Sequence, residues 1–335
     1  MTGRGYMDHR KKRTLKKQGI LLAILVALLI PGAVVLHAID THQTVQTKDS
    51  LDEDVVEING VACTPRNNIK TYLFMGIDDT AEKGENYITG GQCDTLQLLV
   101  VDQTRNTYSR LPINRNTLTE VRSYDEEGED LGTSVCQIAY AHAHGDGGGT
   151  LSCENTVEAV SNYLGGIDID GYAALNMEGV GLLNHLAGGV TVTIEDDFSQ
   201  YDPTLVQGET IRLSDEQALH FVRGRMTVGD GKNESRMRRQ EQFLEALRGA
   251  MTEKVKADSG FAAEVYDTLT DVMVTDLTGK EFSRLANAMV TCQSQGIVEI
   301  QGAIGEDNQG FSTFEPDQES VDDARLALFY EPVDA

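Results

Sequence analysis

Residues 18–39 contain no Asp, Glu, Lys or Arg, and their centre from Gly19 to Ile30 is almost wholly aliphatic. A bilayer core is crossed by roughly 20 consecutive apolar residues, so this stretch reads as a membrane-spanning helix. The 17 residues before it carry seven Lys and Arg against one Asp, while Asp40, Asp49, Asp52, Glu53 and Asp54 follow it. That asymmetry places the amino terminus in the cytoplasm and the remainder outside the cell membrane. A cleaved signal peptide would have a shorter apolar core, about 7–15 residues. No cysteine follows closely enough for a lipoprotein. The chain therefore divides into a basic cytoplasmic segment (1–17), a transmembrane anchor (18–39), a polar stalk (40–66) and one extracellular domain (67–335).

Removing the +6 of residues 1–39 from the formal charge of −25 leaves the outer part at −31. So acidic a body does not bind nucleic acid nonspecifically. All five cysteines (Cys63, Cys93, Cys136, Cys153, Cys292) lie outside, where disulfides persist. Their spacing contains no CxxC, which argues against structural zinc. Five is odd, so at least one thiol is free or pairs between chains, and Cys136 with Cys153 is the possible bridge.

Short apolar runs predict strands at 71–77, 95–101 and 107–113, the last two joined as a hairpin through Asp102 to Asn106. A helix is expected from Cys153 to Leu164, capped by Ser152 and stopped by Gly165. Strands at 171–175 and 190–194 flank a helix at 179–186. Ser214 to Gln217 is a capping box opening a helix, and a longer helix runs from about Glu234 to Lys256. A strand at 272–274, a helix at 277–289 and a strand at 297–300 complete the chain. This order predicts a three-layer α/β/α sandwich around a mixed β-sheet.

Seven of the 21 Lys and Arg outside the membrane fall between Arg223 and Arg248, among four acidic residues. A basic island in an acidic chain focuses attraction for a multiply charged anion. Arginine suits phosphate, whose oxygens its planar fork grips two at a time. Arg236, Gln240, Phe243 and Leu247 fall on one helical face, with Arg239 beside them. Ala218 and Val222 lead likewise to Arg225, and Leu219 to Arg223. The phases predict arginines meeting in one apolar-sided pocket at a helix amino terminus. Asp78 ends a buried strand and Asp94 immediately precedes another. Two strand-end carboxylates beside phosphate suit Mg²⁺. Arg115 follows the third strand and can reach the same crevice. The pair His142 and His144 lies in a glycine-rich stretch, read as a polar loop rather than a metal clamp. No nucleotide phosphate loop and no nucleophile elbow is present.

Four segments together resemble the LytR-CpsA-Psr family of cell-wall glycopolymer ligases: Leu73-Phe-Met-Gly-Ile-Asp78, Cys93-Asp94-Thr95, Ile113-Asn-Arg115-Asn-Thr117, and Leu213 to Gln240 with its Arg223-Gly-Arg225 and Arg236-Met-Arg-Arg239-Gln240. The likeness spans roughly residues 71–304. It implies a membrane-anchored phosphotransferase that moves an anionic glycopolymer, such as teichoic acid or capsule, from a polyprenyl-pyrophosphate carrier to peptidoglycan, releasing lipid monophosphate. It further implies Mg²⁺ on Asp78 and Asp94, and pyrophosphate held by Arg115, Arg223, Arg225, Arg236, Arg239 and Gln240. Arg115, Arg225 and Asp230 are the expected catalytic set, Asp230 either orienting an arginine or taking the acceptor's proton. Two departures stand out. Thr80 replaces an arginine the family often has, and Asn116 replaces a carboxylate beside the pocket. The departures leave two alternatives: a polyprenyl-phosphate-binding scaffold or sensor without chemistry, and a polyprenyl-pyrophosphate hydrolase.

Overall fold

The computed structural model describes residues 55–333, apart from 79–90 and positions 126, 225, 232, 259 and 309. The expected cytoplasmic segment and transmembrane anchor lie outside these residues, and so does the expected stalk up to position 54. Among the described residues no helix is long and apolar enough to cross a membrane.

The chain enters through β1 (Val56–Ile58) and β2 (Val61–Pro65), which pair with each other. Strands β3 (Ile69–Asp78), β4 (Gln92–Asp102) and β5 (Thr107–Ile113) form an antiparallel meander. Its turn is fixed by Asp102, which accepts from the backbone N–H of Arg105, and by left-handed Asn106. A hairpin of β6 (Leu118–Tyr124) and β7 (Asp130–Gln137) leads to the short helix α1 (Tyr140–Ala143) and then to α2 (Thr150–Tyr163). Next come β8 (Gly171–Leu175) and α3 (Gly179–Ala187), ended by Gly188 in the left-handed conformation a side chain disfavours. A ribbon of β9 (Thr191–Thr193) and β10 (Thr210–Arg212) precedes α4 (Asp215–Arg223) and α5 (Asn233–Ala257). The order continues with α6 (Phe261–Leu269), β11 (Met273–Thr275), α7 (Gly279–Thr291) and β12 (Gln293–Ile297). A hairpin of β13 (Gly302–Glu306) and β14 (Ser312–Pro316), then α8 (Gln318–Phe329) and β15 (Tyr330–Pro332), close the chain.

The central sheet runs β11-β8-β3-β4-β5-β12 and is mixed, with β3–β8 and β5–β12 parallel. Along its inner strands alternate residues enter two separate cores. Phe74, Leu99, Ala173 and Leu175 pack with α3 to α7, whereas Leu73, Met75, Leu98 and Tyr172 pack against α2 and α8. That is the three-layer sandwich the residue order implies.

Several expectations are corrected. Residues 56–58 and 61–65, within the expected stalk, form strands, because β15 pairs with β2 and supplies the partner local sequence lacks. Helix α2 begins three residues early, since Asp146 accepts from the N–H groups of Gly149, Leu151 and Ser152 and takes over the capping role. The 190–194 strand pairs with β10 outside the main sheet, and the last sheet strand lies at 293–297 rather than 297–300. Cys136 and Cys153 are not bonded, and all five cysteines are free.

The capping box at α4 is present as read: Ser214 accepts from Gln217 N–H, and the Gln217 side chain accepts from Ser214 N–H. Ser214→Ala should lower stability by about 1 kcal/mol in urea unfolding. An unchanged midpoint would show that the box contributes nothing.

Candidate active site

The expected site residues fall into two groups. The first lies where β3 ends, β4 begins and β5 has just ended, all at one edge of the sheet. Asp78 pairs in register with Gln92, and the register shifts between Gly76–Thr95 and Ile77–Cys93. Asp94 is therefore the extra residue of a β-bulge. The bulge lets Cys93 and Leu96, three positions apart, face the same core, and it frees Asp94 from strand alternation. The Asp94 carboxylate takes an ion pair from Arg115 Nη1, while Arg115 Nη2 donates to Gln92 Oε1. Arg115 is held from its backbone as well: its carbonyl accepts from Ala139 N–H, and Ala139 O accepts from Cys93 N–H.

This edge carries two carboxylates and one guanidinium, a local net charge of −1. Among the described residues no cluster of three or more His, Cys, Asp or Glu is placed to hold a metal. The donor set nevertheless fits Mg²⁺, which takes one or two carboxylates and leaves its other positions to water and phosphate. Buried polar atoms without partners surround the edge: Thr95 Oγ1, Gln97 Nε2, Arg115 Nε and Asn116 Oδ1. Thr95 and Gln97 alternate with Leu99 on the sheet face that α5 covers, so that face turns from apolar to polar as it nears Asp94. Unsatisfied buried polar groups cost about 1–3 kcal/mol each, and a polar ligand seated there would remove that penalty.

The second group joins the end of α4 to the start of α5. Arg236 and Arg239 are each only 2% exposed and Gln240 is buried, as the helical phase predicts. Each nitrogen of the Arg239 guanidinium has a protein partner. Its Nε donates to Phe221 O at 3.2 Å, Nη1 pairs with Asp196, Nη2 donates to Gly224 O, and the guanidinium lies 5.3 Å from the Phe198 ring centre. Gln240 Nε2 donates to Val222 O at 3.1 Å. Phe221, Val222 and Gly224 offer the carbonyls that the last turn of a helix leaves without intrahelical donors. Burial pulls the Arg239 pKa below its ordinary value and Asp196 opposes that pull. Arg239 and Gln240 thereby hold the end of α4. Gly224 admits no side chain, since a Cβ would lie 2.7 Å from Val228.

Arg223, half-buried, is the last residue of α4, and Asp230 is exposed in the loop before α5. Arg225 and Thr80 lie outside the described residues. Arg238 is exposed and pairs with Glu195 and Asp196. The two histidines diverge: His142 is buried with Nδ1 3.2 Å from Gly91 O, and His144 Nδ1 lies 2.7 Å from Ser123 Oγ. Beside His142, burial pushes the Cys153 thiol up to about 12, so it is inert as a nucleophile at neutral pH. Sequence reading missed Gln92, Asp196, Thr95 and Gln97. Nothing local marks Asp196, whose partner lies 43 positions away.

The profile of the LytR_cpsA_psr family matches residues 33–329. The polyisoprenyl-teichoic acid–peptidoglycan teichoic acid transferase TagU of Oceanobacillus iheyensis is 30% identical, with 81% of this chain and 79% of the relative covered. The TagU transferase of Halalkalibacterium halodurans is 27% identical, with 79% and 81% covered. The crystal structure of B. subtilis TagV is similar at a TM-score of 0.55 and 25% identity, covering 78% of this chain and 96% of that one. A structure of TagT bound to LI-WTA shares the fold at a TM-score of 0.53 and 20% identity, covering 78% and 90%.

Asp196→Ala would leave the Arg239 charge buried and unpaired, and should cost about 3–5 kcal/mol in chemical denaturation. Arg238→Ala, which removes an exposed guanidinium and leaves Asp196 paired with Arg239, should cost under about 1 kcal/mol. Equal losses would contradict the role assigned to Arg239.

Proposed function

Since the chain belongs to the LytR-CpsA-Psr family, we propose that it is a membrane-anchored phosphotransferase joining an anionic glycopolymer, of the teichoic acid kind, to peptidoglycan. The donor is the polymer on a polyprenyl-pyrophosphate carrier. The acceptor's sugar hydroxyl forms a new bond to the glycan-linked phosphorus. The bond from that phosphorus to the bridging oxygen breaks, and the lipid leaves as its monophosphate. The hydroxyl proton passes to a carboxylate, for which Asp230 is the candidate.

The observation that carries this reading is the bulge-presented Asp94 ion-paired to Arg115, with Asp78 one register step away. Phosphoryl transfer needs little from the protein besides positioning and charge stabilisation, and this edge is built for both. Asp78 and Asp94 would hold Mg²⁺, which would neutralise phosphate charge. Arg115, Arg223, Arg225 and Arg236 bind the diphosphate and stabilise the charge that grows on the leaving phosphate. Arg239 and Gln240 fix the helix end from which Arg223 projects. The apolar run at 18–39 keeps the domain at the membrane surface, where a lipid-linked donor is confined.

With lipid-pyrophosphate donor and peptidoglycan fragments, the full-length protein should transfer polymer only with Mg²⁺ present. Asp94→Ala and Arg115→Ala should each lower the rate about 10²–10³-fold. Transfer surviving exhaustive chelation would remove Mg²⁺ from the scheme. Asn116→Asp should change the rate of an already active enzyme. Activity that arises only in that variant would instead identify the natural protein as a lipid-phosphate binder.

A further inference from the structure

At the opposite end of the central strands, on the face covered by α8, lies a cavity of about 570 Å³ lined by Arg66, Val100, Ser109, Gln295, Val298 and Leu328 among others. Its floor is two facing pairs of the ladder, Val100 with Ser109 and Asp102 with Thr107. Nothing in the transfer chemistry uses it. Such volumes are typical of small-ligand sites, which span about 300–1,000 Å³.

Two arginines border the cavity, and they differ. Arg105 is committed: it pairs with Asp102 at 2.7 Å and lies 3.7 Å from Glu331. Arg66 donates through Nε to Tyr330 O at 2.9 Å, and among the described residues its two Nη groups have no protein acceptor. Burial lowers the Arg66 pKa, Arg105 adds to that effect, and Asp102 with Glu331 oppose it. In an outer part that carries −31, an uncovered guanidinium facing a cavity is a site awaiting an anion.

We propose that this cavity binds the free carboxylate of a short peptide with small apolar side chains. With Nε occupied, the two Nη groups present an end-on fork that matches two carboxylate oxygens. The hydroxyls of Thr107 and Ser109, side by side on one face of β5, supply further donors. One uncovered positive charge suits one negative charge, because a dianion would also face Asp102 and Glu331. The apolar part of the wall, Val100, Val298 and Leu328, rewards methyl groups and gives nothing to a bare polyol phosphodiester.

The position gives the site a use. Strand β4 links the cavity at Val100 and Asp102 to the Asp94 edge, a separation of about 20–26 Å at roughly 3.3 Å per residue. A ligand reaching both must be a polymer. A peptide stem held here would tether its own glycan strand and raise the acceptor's effective concentration at the distant edge. That use rests on the acceptor being peptidoglycan. Peptide binding itself needs neither donor nor transfer, so a failure of one reading is distinguishable from a failure of the other.

Titration calorimetry on the full-length protein in detergent micelles tests it, with N-acetyl-alanyl-alanine, its carboxamide and a glycerol phosphodiester as probes. The free acid should bind, and the carboxamide should bind about tenfold more weakly or worse, the loss of a charge-assisted hydrogen bond. Arg66→Gln should weaken the free acid by a similar factor. Gln295→Glu, an exposed rim change that leaves the fold alone, should weaken it by about threefold through repulsion. If Arg66→Gln fails to fold, the rim variant decides. Equal binding of acid and carboxamide, preference for the phosphodiester, or indifference to Gln295→Glu would overturn the assignment.

Discussion

A guanidinium buried in an acidic protein holds the arginine-bearing segment in shape. Arg239 links three parts of the chain that are distant in sequence: the end of α4 through Phe221 and Gly224, the loop after β9 through Asp196, and α5 on which it sits. A helix end leaves carbonyls without intrahelical donors, and a buried end must find donors elsewhere. Arg239 and Gln240 provide them. The result is a fixed end to α4, whose last residue is Arg223, beside the first turn of α5, where Arg236 is buried. A lysine at position 239 would have the charge without the planar fork that reaches three acceptors at once.

The edge of the sheet follows a complementary logic. The bulge at Asp94 costs one ladder position and presents a carboxylate that regular alternation would have turned into the core occupied by Cys93 and Leu96. Arg115 neutralises half of the charge that Asp78 and Asp94 bring together. A divalent cation there would reverse the local sign from −1 to +1 and turn an edge that repels phosphate into one that attracts it. Buried Thr95 and Gln97, with polar atoms left unpaired, mark the border between this edge and the apolar face beneath α5.

Much of this was legible in the residues. Residues 73–77 in β3 and 98–101 in β4 are continuous apolar runs, as strands covered on both faces should be. The spacing of Arg236, Gln240, Phe243 and Leu247 correctly placed two polar side chains on an inward face. What periodicity could not supply was a partner. It showed that Arg239 is buried but not that Asp196, 43 positions earlier, receives it. Nor could it find the sheet of β1, β2 and β15, whose short, half-exposed strands make sense only when residues 330–332 meet residues 63–65. The bulge was hidden for the same reason: the apolar run begins at Thr95, and only the register against β3 carries the strand back to Gln92 and makes Asp94 its extra residue.

Phosphorus accounting in a single reaction tests the central claim most directly. Lipid monophosphate and polymer–peptidoglycan phosphodiester should appear in equal amounts, with no inorganic phosphate released. Lipid monophosphate accumulating without any new linkage, or a donor that stays intact beside both acceptor and Mg²⁺, would contradict the account.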